Sequence, residues 1–323
     1  MWRALRGVLR DPPVAVPEGL RADVAEAAGV GEVATLAAAR DPGLSEALGP
    51  AIERQLFIDL TLGQLEGRVA RALDGAGVIR VALLKGSATS RTLYEEPAHR
   101  QRRDIDVLVD DAAFPRAIRA LEADGWRPNP SVGTARRGMS NARTWPLARD
   151  LPIGQVECDL HRRLVDGTPF QVDEAGILDR AQPGRAVLPV TAPEDLVLHT
   201  ALHAALAGFH VPLKAWVDLA RLVADPALDL DAIPARARQW RCGAAVWAGL
   251  SVARRWLAAP VPERLLQALR PRRHQARALD AFLSGSGPYP TPSGMARRRA
   301  TWWATALVPD DLQGRAAWLA SRL

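Results

Sequence analysis

Leu83-Leu84-Lys85-Gly86-Ser87, followed a short interval later by Arg100-Gln101-Arg102-Arg103-Asp104-Ile105-Asp106-Val107-Leu108-Val109, is the stretch from which the fold is read. An apolar run ends in Gly-Ser, and a second apolar run opens with two carboxylates one residue apart. Successive side chains of a β-strand point to opposite faces, so Asp104 and Asp106 share one face while Ile105 and Val107 take the other. Two like charges then crowd one spot, an arrangement that a cation relieves. Hard oxygen ligands at this spacing suit Mg²⁺, which binds through one or two carboxylates plus substrate phosphates. Glycine lets the backbone come close to a phosphate, and the N–H groups opening the next helix point at an anion. Together the two runs point to a nucleoside triphosphate site.

Working outward, Val78 to Leu84 reads as a buried strand after the Gly75-Ala76-Gly77 break, and Ser87 to Tyr94 as a short helix stopped before Pro97. The strand of Asp104 and Asp106 ends near Asp110. Asp111 is the expected N-cap of a helix with Phe114, Ala117, Ile118 and Leu121 along one side and Gly125 at its end. Arg143–Leu147 and Gly154–His161 read as two further strands around Pro152. Alternation in the second places Glu157, Asp159 and His161 on one face and Val156, Cys158 and Leu160 on the other. A third carboxylate therefore stands beside the first two if the strands are neighbours.

Both flanks are helical. Residues 17–74 carry Ala-rich segments and an apolar three-to-four spacing from Ile52 to Leu73. Thr191-Ala192-Pro193-Glu194 has the form of a capping box opening a helix with His199 and His203 at i, i+4. No zinc motif accompanies that histidine pair, so core packing is the expected role. A second helix spans Val211 to Val223, with Lys214 and Asp218 one turn apart as an expected ion pair. The tryptophans at 216, 240, 247 and 256 are expected in the core, and Ser284 to Pro290 as a break. The expected architecture is α+β. A small mixed β-sheet in a core of residues 76–188 is flanked by an N-terminal helical segment, 1–75, and a C-terminal helical domain, 189–323.

Over 323 residues, 48% hydrophobic and 24% charged, the composition is that of a soluble protein with a sizeable core. No apolar run reaches the roughly 20 residues of a membrane span, and the first residues lack a signal-peptide hydrophobic run, so a cytoplasmic location without membrane contact is expected. Cys158 and Cys242 are too few for a disulfide framework and read as reduced, inert thiols. A net charge of +6 admits a nucleic-acid partner without indicating one. Every basic residue except Lys85 and Lys214 is arginine, the mark of a compositional bias rather than a binding face. Arg297-Arg298-Arg299, close to Trp302-Trp303, reads as a solvated helix face.

Leu84-Lys85-Gly86-Ser87, Leu93-Tyr94, Pro97, Arg100, Asp104 to Val109 and Asp159-Leu160-His161, in this order, resemble the bacterial uncharacterised nucleotidyltransferase family of the polymerase-β superfamily. Pro193 to His203 and Leu213 to Leu222 are similar to that family's helical half. The resemblance implies an enzyme of the nucleotidyltransferase class, moving a nucleoside monophosphate from a triphosphate such as ATP to an acceptor with release of pyrophosphate. Asp104, Asp106 and Asp159 would bind two Mg²⁺ ions about 3.5–4 Å apart. Lys85, Gly86, Ser87, Arg100 and Lys214 are the candidate nucleotide-binding residues, and Glu157, His161 and Asp218 are further candidates. The acceptor class stays open among small molecule, peptide, protein and RNA. The alternative is a nucleotide-binding accessory protein without turnover, for example in a peptide-modification cluster.

Overall fold

A computed structural model of the chain describes residues 1–129, 142–152, 154–165, 169–286 and 307–310. The helices before the sheet are α1 (Trp2–Leu9), α2 (Arg21–Val30), α3 (Ala34–Arg40) and α4 (Ser45–Gly75). Then come β1 (Val81–Leu83), α5 (Lys85–Thr92), β2 (Asp104–Val109), α6 (Phe114–Ala123), β3 (Arg127–Pro128), β4 (Thr144–Leu151), β5 (Gly154–His161) and α7 (Glu174–Asp179). The remainder is helical: α8 (Pro193–Leu206), α9 (Leu213–Ala224), α10 (Ala232–Gln239), α11 (Gly243–Leu257), α12 (Glu263–Leu269) and α13 (Arg273–Ser286). The α+β class read from the sequence is the observed one. Among the described residues no helix is long and apolar enough to cross a membrane.

The chain divides into two compact units, one of residues 53–166 and 172–192, the other of residues 1–52, 167–171 and 193–323. The first is built on a five-stranded mixed sheet of order β1-β2-β5-β4-β3. β1 runs antiparallel to β2, β2 parallel to β5, and β4 antiparallel to both β5 and β3. One face of the sheet is dry: Ile105, Val107, Leu147, Cys158 and Leu160 are fully buried. The apolar positions of α6, Phe114, Ala117, Ile118 and Leu121, recur at helical spacing and are all buried, so this unit has its own core. The opposite face carries the carboxylates.

In the helical unit α11 packs against α8, α9 and α1. Trp216, Trp240, Trp247 and Trp256 are buried there, and Trp216 meets Trp256 edge to face at 5.6 Å between centroids. Cys158 and Cys242 are free and buried, and burial pushes both thiols well up, which keeps them unreactive.

Several local expectations shift. β1 covers only Val81–Leu83, and the helix after it begins at Lys85, before Ser87. Asp111 is not the cap of α6: a 3-10 turn over Asp111–Ala113 leads into the helix, and Asp110 caps that turn, its carboxylate accepting from the Ala112 N–H at 3.0 Å. The capping box at Thr191 does not form. Its backbone N–H and hydroxyl both donate to the Leu83 carbonyl, and Glu194 accepts instead from the Asp229 N–H at 3.0 Å and Arg236 at 3.3 Å. Long-range partners outcompeted the local one. Lys214 also has a long-range ion-pair partner, Glu32, 182 positions away, which no helix spacing reveals. The helix α13 continues to Ser286, and the rest of the expected break, 287–290, lies outside the described residues, as do Arg297–Arg299 and Trp302-Trp303.

Candidate active site

The turn between β1 and α5 is stitched to the middle of β2. Leu84 donates its N–H to the Asp106 carbonyl at 3.0 Å, and Asp106 donates its N–H to the Ser87 hydroxyl oxygen at 3.1 Å. Ser87 is fully buried, so the Gly-Ser motif and the Asp-x-Asp motif are two halves of one backbone junction. The left-handed conformation that a sharp strand-to-helix turn demands falls on Lys85, φ 43°, rather than on glycine. Such a conformation disfavours a residue with a Cβ by roughly 1–2 kcal/mol. Gly86 is closely flanked by the arginines that follow. A Cβ there would meet the Arg100 guanidinium and the Arg102 Cβ at 3.4 Å each, van der Waals contact rather than a clash.

The parallel pairing of β2 with β5 sets Asp104 opposite Glu157 and Asp106 opposite Asp159. The four carboxylates form two rows on one face of the sheet. In one row, ligand atoms of Asp106, Asp159 and His161 all lie within 4.8 Å of one another. Asp106 is 1% exposed, and a single oxygen, Oδ1, receives both the Lys85 ammonium at 2.5 Å and His161 Nε2 at 2.9 Å. The other ring nitrogen of His161, Nδ1, lies 3.0 Å from the Thr144 hydroxyl on β4. In the other row, Asn129, just past β3 and buried, donates its Nδ2 to Glu157 Oε1 at 2.7 Å.

These neighbours pull the acids apart electrostatically. For Asp106 burial works upward, but Lys85 and then His161 outweigh it and hold the carboxyl well below its usual range. Asp159 goes the other way. Burial, then Asp106, with further contributions from Asp104 and Glu157, push it up to about 7 against the pull of Lys85. The Lys85 ammonium is burdened by burial and still raised, because Asp106, Asp104 and Asp159 surround it. Burial, then Lys85, lowers His161 despite its bond to Asp106.

A divalent cation fits this donor set. Asp106 and Asp159 offer hard oxygens from opposed positions in adjacent strands, and a cation between them would offset both the burial of Asp159 and its repulsion by Asp106. The proximity condition set by the sequence is met for Asp104, Asp106, Asp159, Glu157 and His161, which share one face. Lys85, Gly86, Ser87 and Arg100 cluster at the adjoining turn, with Arg100 buried and its Nη1 donating to the Gln101 carbonyl at 2.5 Å. Lys214 and the buried Asp218 stand on α9 of the other unit.

Sequence reading did not single out Thr144 or Asn129. Neither lies in a motif, and their relevance comes from cross-strand register: Thr144 opposes His161, and Asn129 donates its N–H to the Pro146 carbonyl at 2.9 Å. The alternation of β4 with β5 could have placed Thr144 on the carboxylate face; the two-residue β3 gave no such pattern for Asn129.

The chain matches none of the curated proteins and none of the solved structures with which it was compared. Residues 51–258, more than half of the chain, match the family described as "Uncharacterised nucleotidyltransferase", and this stretch includes the turn and both carboxylate strands. The chain belongs to this uncharacterised nucleotidyltransferase family, and its general role is that of a nucleotidyltransferase.

Proposed function

We propose that the protein transfers a nucleoside monophosphate from a nucleoside triphosphate to an acceptor in a Mg²⁺-dependent reaction. The observation that carries this reading is the pairing of Asp106 with Asp159 across adjacent parallel strands, beside a turn joined to Asp106 by two hydrogen bonds. Asp104, Asp106 and Asp159 would hold two Mg²⁺ ions, which when bound neutralise triphosphate charge and lower the pKa of an acceptor hydroxyl.

The chain's own groups divide the remaining work. The acceptor oxygen attacks the α-phosphorus, a new P–O bond forms, and the bond to the bridging oxygen breaks so that pyrophosphate leaves. Asp159 would serve either as a ligand of the second metal or as the general base that takes up the acceptor's proton. Lys85 sits on a side chain long enough to exchange Asp106 for a phosphate oxygen, and Arg100 lies over the same turn. The α5 N–H groups supply the backbone donors for the triphosphate.

Calorimetric titration with each of the four common triphosphates, with and without Mg²⁺, tests binding. Pyrophosphate release with small-molecule, peptide, protein and RNA acceptors tests turnover. Mg²⁺-dependent binding, abolished by Asp106→Asn in a variant with an unchanged circular-dichroism spectrum, is the expected result. Failure of every triphosphate to bind, or full retention by the variant, would overturn the proposal. Binding with no release for any acceptor class would assign the chain to the accessory role.

A further inference from the structure

Asp106 is asymmetric. Its Oδ1 takes both protein donors, Lys85 Nζ at 2.5 Å and His161 Nε2 at 2.9 Å, while no described group hydrogen-bonds Oδ2. A carboxylate can only accept, so the nitrogen of His161 that faces it must carry a proton. A neutral imidazole has one such proton. Placing it on Nε2 leaves Nδ1 as an acceptor, and the group 3.0 Å from Nδ1 is the Thr144 hydroxyl, which can donate. Thr144, His161 and Asp106 are 8%, 6% and 1% exposed, so these bonds are largely shielded from bulk solvent. The three residues come from three neighbouring strands, and strand register fixes the chain: Thr144 opposes His161 on β4 and β5, and β5 is in register with β2.

We infer that Thr144 and His161 are positioning residues that assign Asp106 Oδ1 to the protein and leave Oδ2 for the cation. Thr144 sets the tautomer, His161 fixes the carboxylate plane, and neither touches the reacting atoms. His161, though it lies among the potential ligands, is then an orienting donor and not a metal ligand. This deepens the metal-site reading proposed above and rests on it.

The test uses the full chain and two readouts. Long-range ¹H–¹⁵N correlation spectra of metal-free protein at neutral pH, with the His161 signals identified by their loss in His161→Gln, report the tautomer. Mn²⁺ titration followed by electron paramagnetic resonance, without nucleotide, reports metal affinity. The wild type is expected to show His161 protonated on Nε2 alone. Thr144→Val is expected to give mixed tautomers and about tenfold or greater loss of Mn²⁺ affinity, the range of disrupted outer-shell partners. Thr144→Ser, which restores the hydroxyl, is expected to restore both, a rescue that a purely structural role of the threonine would not require. A wild-type ring protonated on Nδ1 or on both nitrogens overturns the inference, as does a Thr144→Val protein with wild-type tautomer or wild-type Mn²⁺ affinity. Absence of Mn²⁺ binding by the wild type would instead sink the metal site itself, and the spectra of the metal-free protein would still decide the tautomer.

Discussion

At the scale of single residues the site is a contest over charge, with opposite outcomes for Asp106 and Asp159. Asp159 is raised to about 7 in the folded chain, above its unfolded value, so it contributes stability at low pH that is lost as pH rises through 7. In metal-free protein this predicts that Asp159→Asn is more stable than the wild type at about pH 8, by roughly 1–2 kcal/mol once partial exposure is allowed for. The same substitution should remove the stabilisation by Mg²⁺. Urea unfolding at that pH, with and without Mg²⁺, measures both, and equal stability of variant and wild type without metal would refute the assignment. Because a cation must displace the Asp159 proton, Mn²⁺ affinity of the wild type should climb between about pH 6 and pH 8 and then level off. A flat profile would show that this carboxyl does not hold the metal.

Lys85 supplies the complementary prediction. It already neutralises Asp106, so a cation arriving without nucleotide must compete with a resident ammonium 2.5 Å away. Lys85→Met is therefore expected to tighten Mn²⁺ binding in the absence of nucleotide and to weaken triphosphate binding, each by about tenfold, a change of roughly 1.4 kcal/mol. Parallel titrations of metal and nucleotide distinguish this crossed pattern from general damage, which would weaken both.

At the scale of elements, the junction of turn and strand is held from behind by a buried ion network. Arg102, wholly buried, donates Nε and Nη2 to Asp59 at 3.2 Å each and also pairs with Glu66; both acids lie on α4. Arg91 on α5 pairs with Glu66 at 3.2 Å and reaches Asp59 at 3.7 Å. One stripe of α4 thus clamps the helix that presents Lys85 and the backbone that leads into Asp104. Arg102→Met would leave two acids buried with one arginine, and breaking such a network typically destabilises by about 3–5 kcal/mol. Chemical denaturation should show a loss of that order, and a loss below about 1 kcal/mol would mean the network is incidental.

The same elements show what the residues disclosed unaided. β2 and β5 were legible because alternating carboxylates and apolar residues leave a period-two signal, and β5 begins and ends where that signal does. Their adjacency was not legible, since the parallel pairing is separated by α6, β3 and β4 and depends on sheet topology. The turn at Gly86 was legible, but the positive φ at its neighbour Lys85 was not, because a lysine gives no sign of a left-handed backbone. The Arg102 network has no local signature either, because its partners lie 36 and 43 positions away in sequence.

At the scale of the whole molecule, the helical unit is discontinuous, and that too leaves no local pattern. Residues 1–52 share a unit with residues 193–323. Arg10 donates to the Trp256 carbonyl at 3.3 and 3.2 Å, α1 packs on α11, and the Lys214 N–H donates to the Gly31 carbonyl at 3.2 Å. Leu5, Val8 and Leu9 of α1 recur at i, i+3 and i+4 and are buried. At roughly 1.5–3 kcal/mol for each buried aliphatic side chain, these three alone contribute about 5–9 kcal/mol, comparable with the net stability of a domain. Deleting residues 1–52 therefore strips the C-terminal helices of a part of their core although it removes nothing contiguous with them in sequence. It also stops short of Asp59 and Glu66, so the clamp behind the carboxylates keeps all its members. The shortened chain is expected to lose its cooperative helical melting transition, or to melt far below the full chain, when followed by far-ultraviolet circular dichroism. A melting curve superimposable on that of the full chain would show that the N-terminal helices are an appendage and that the C-terminal helices close their core without them.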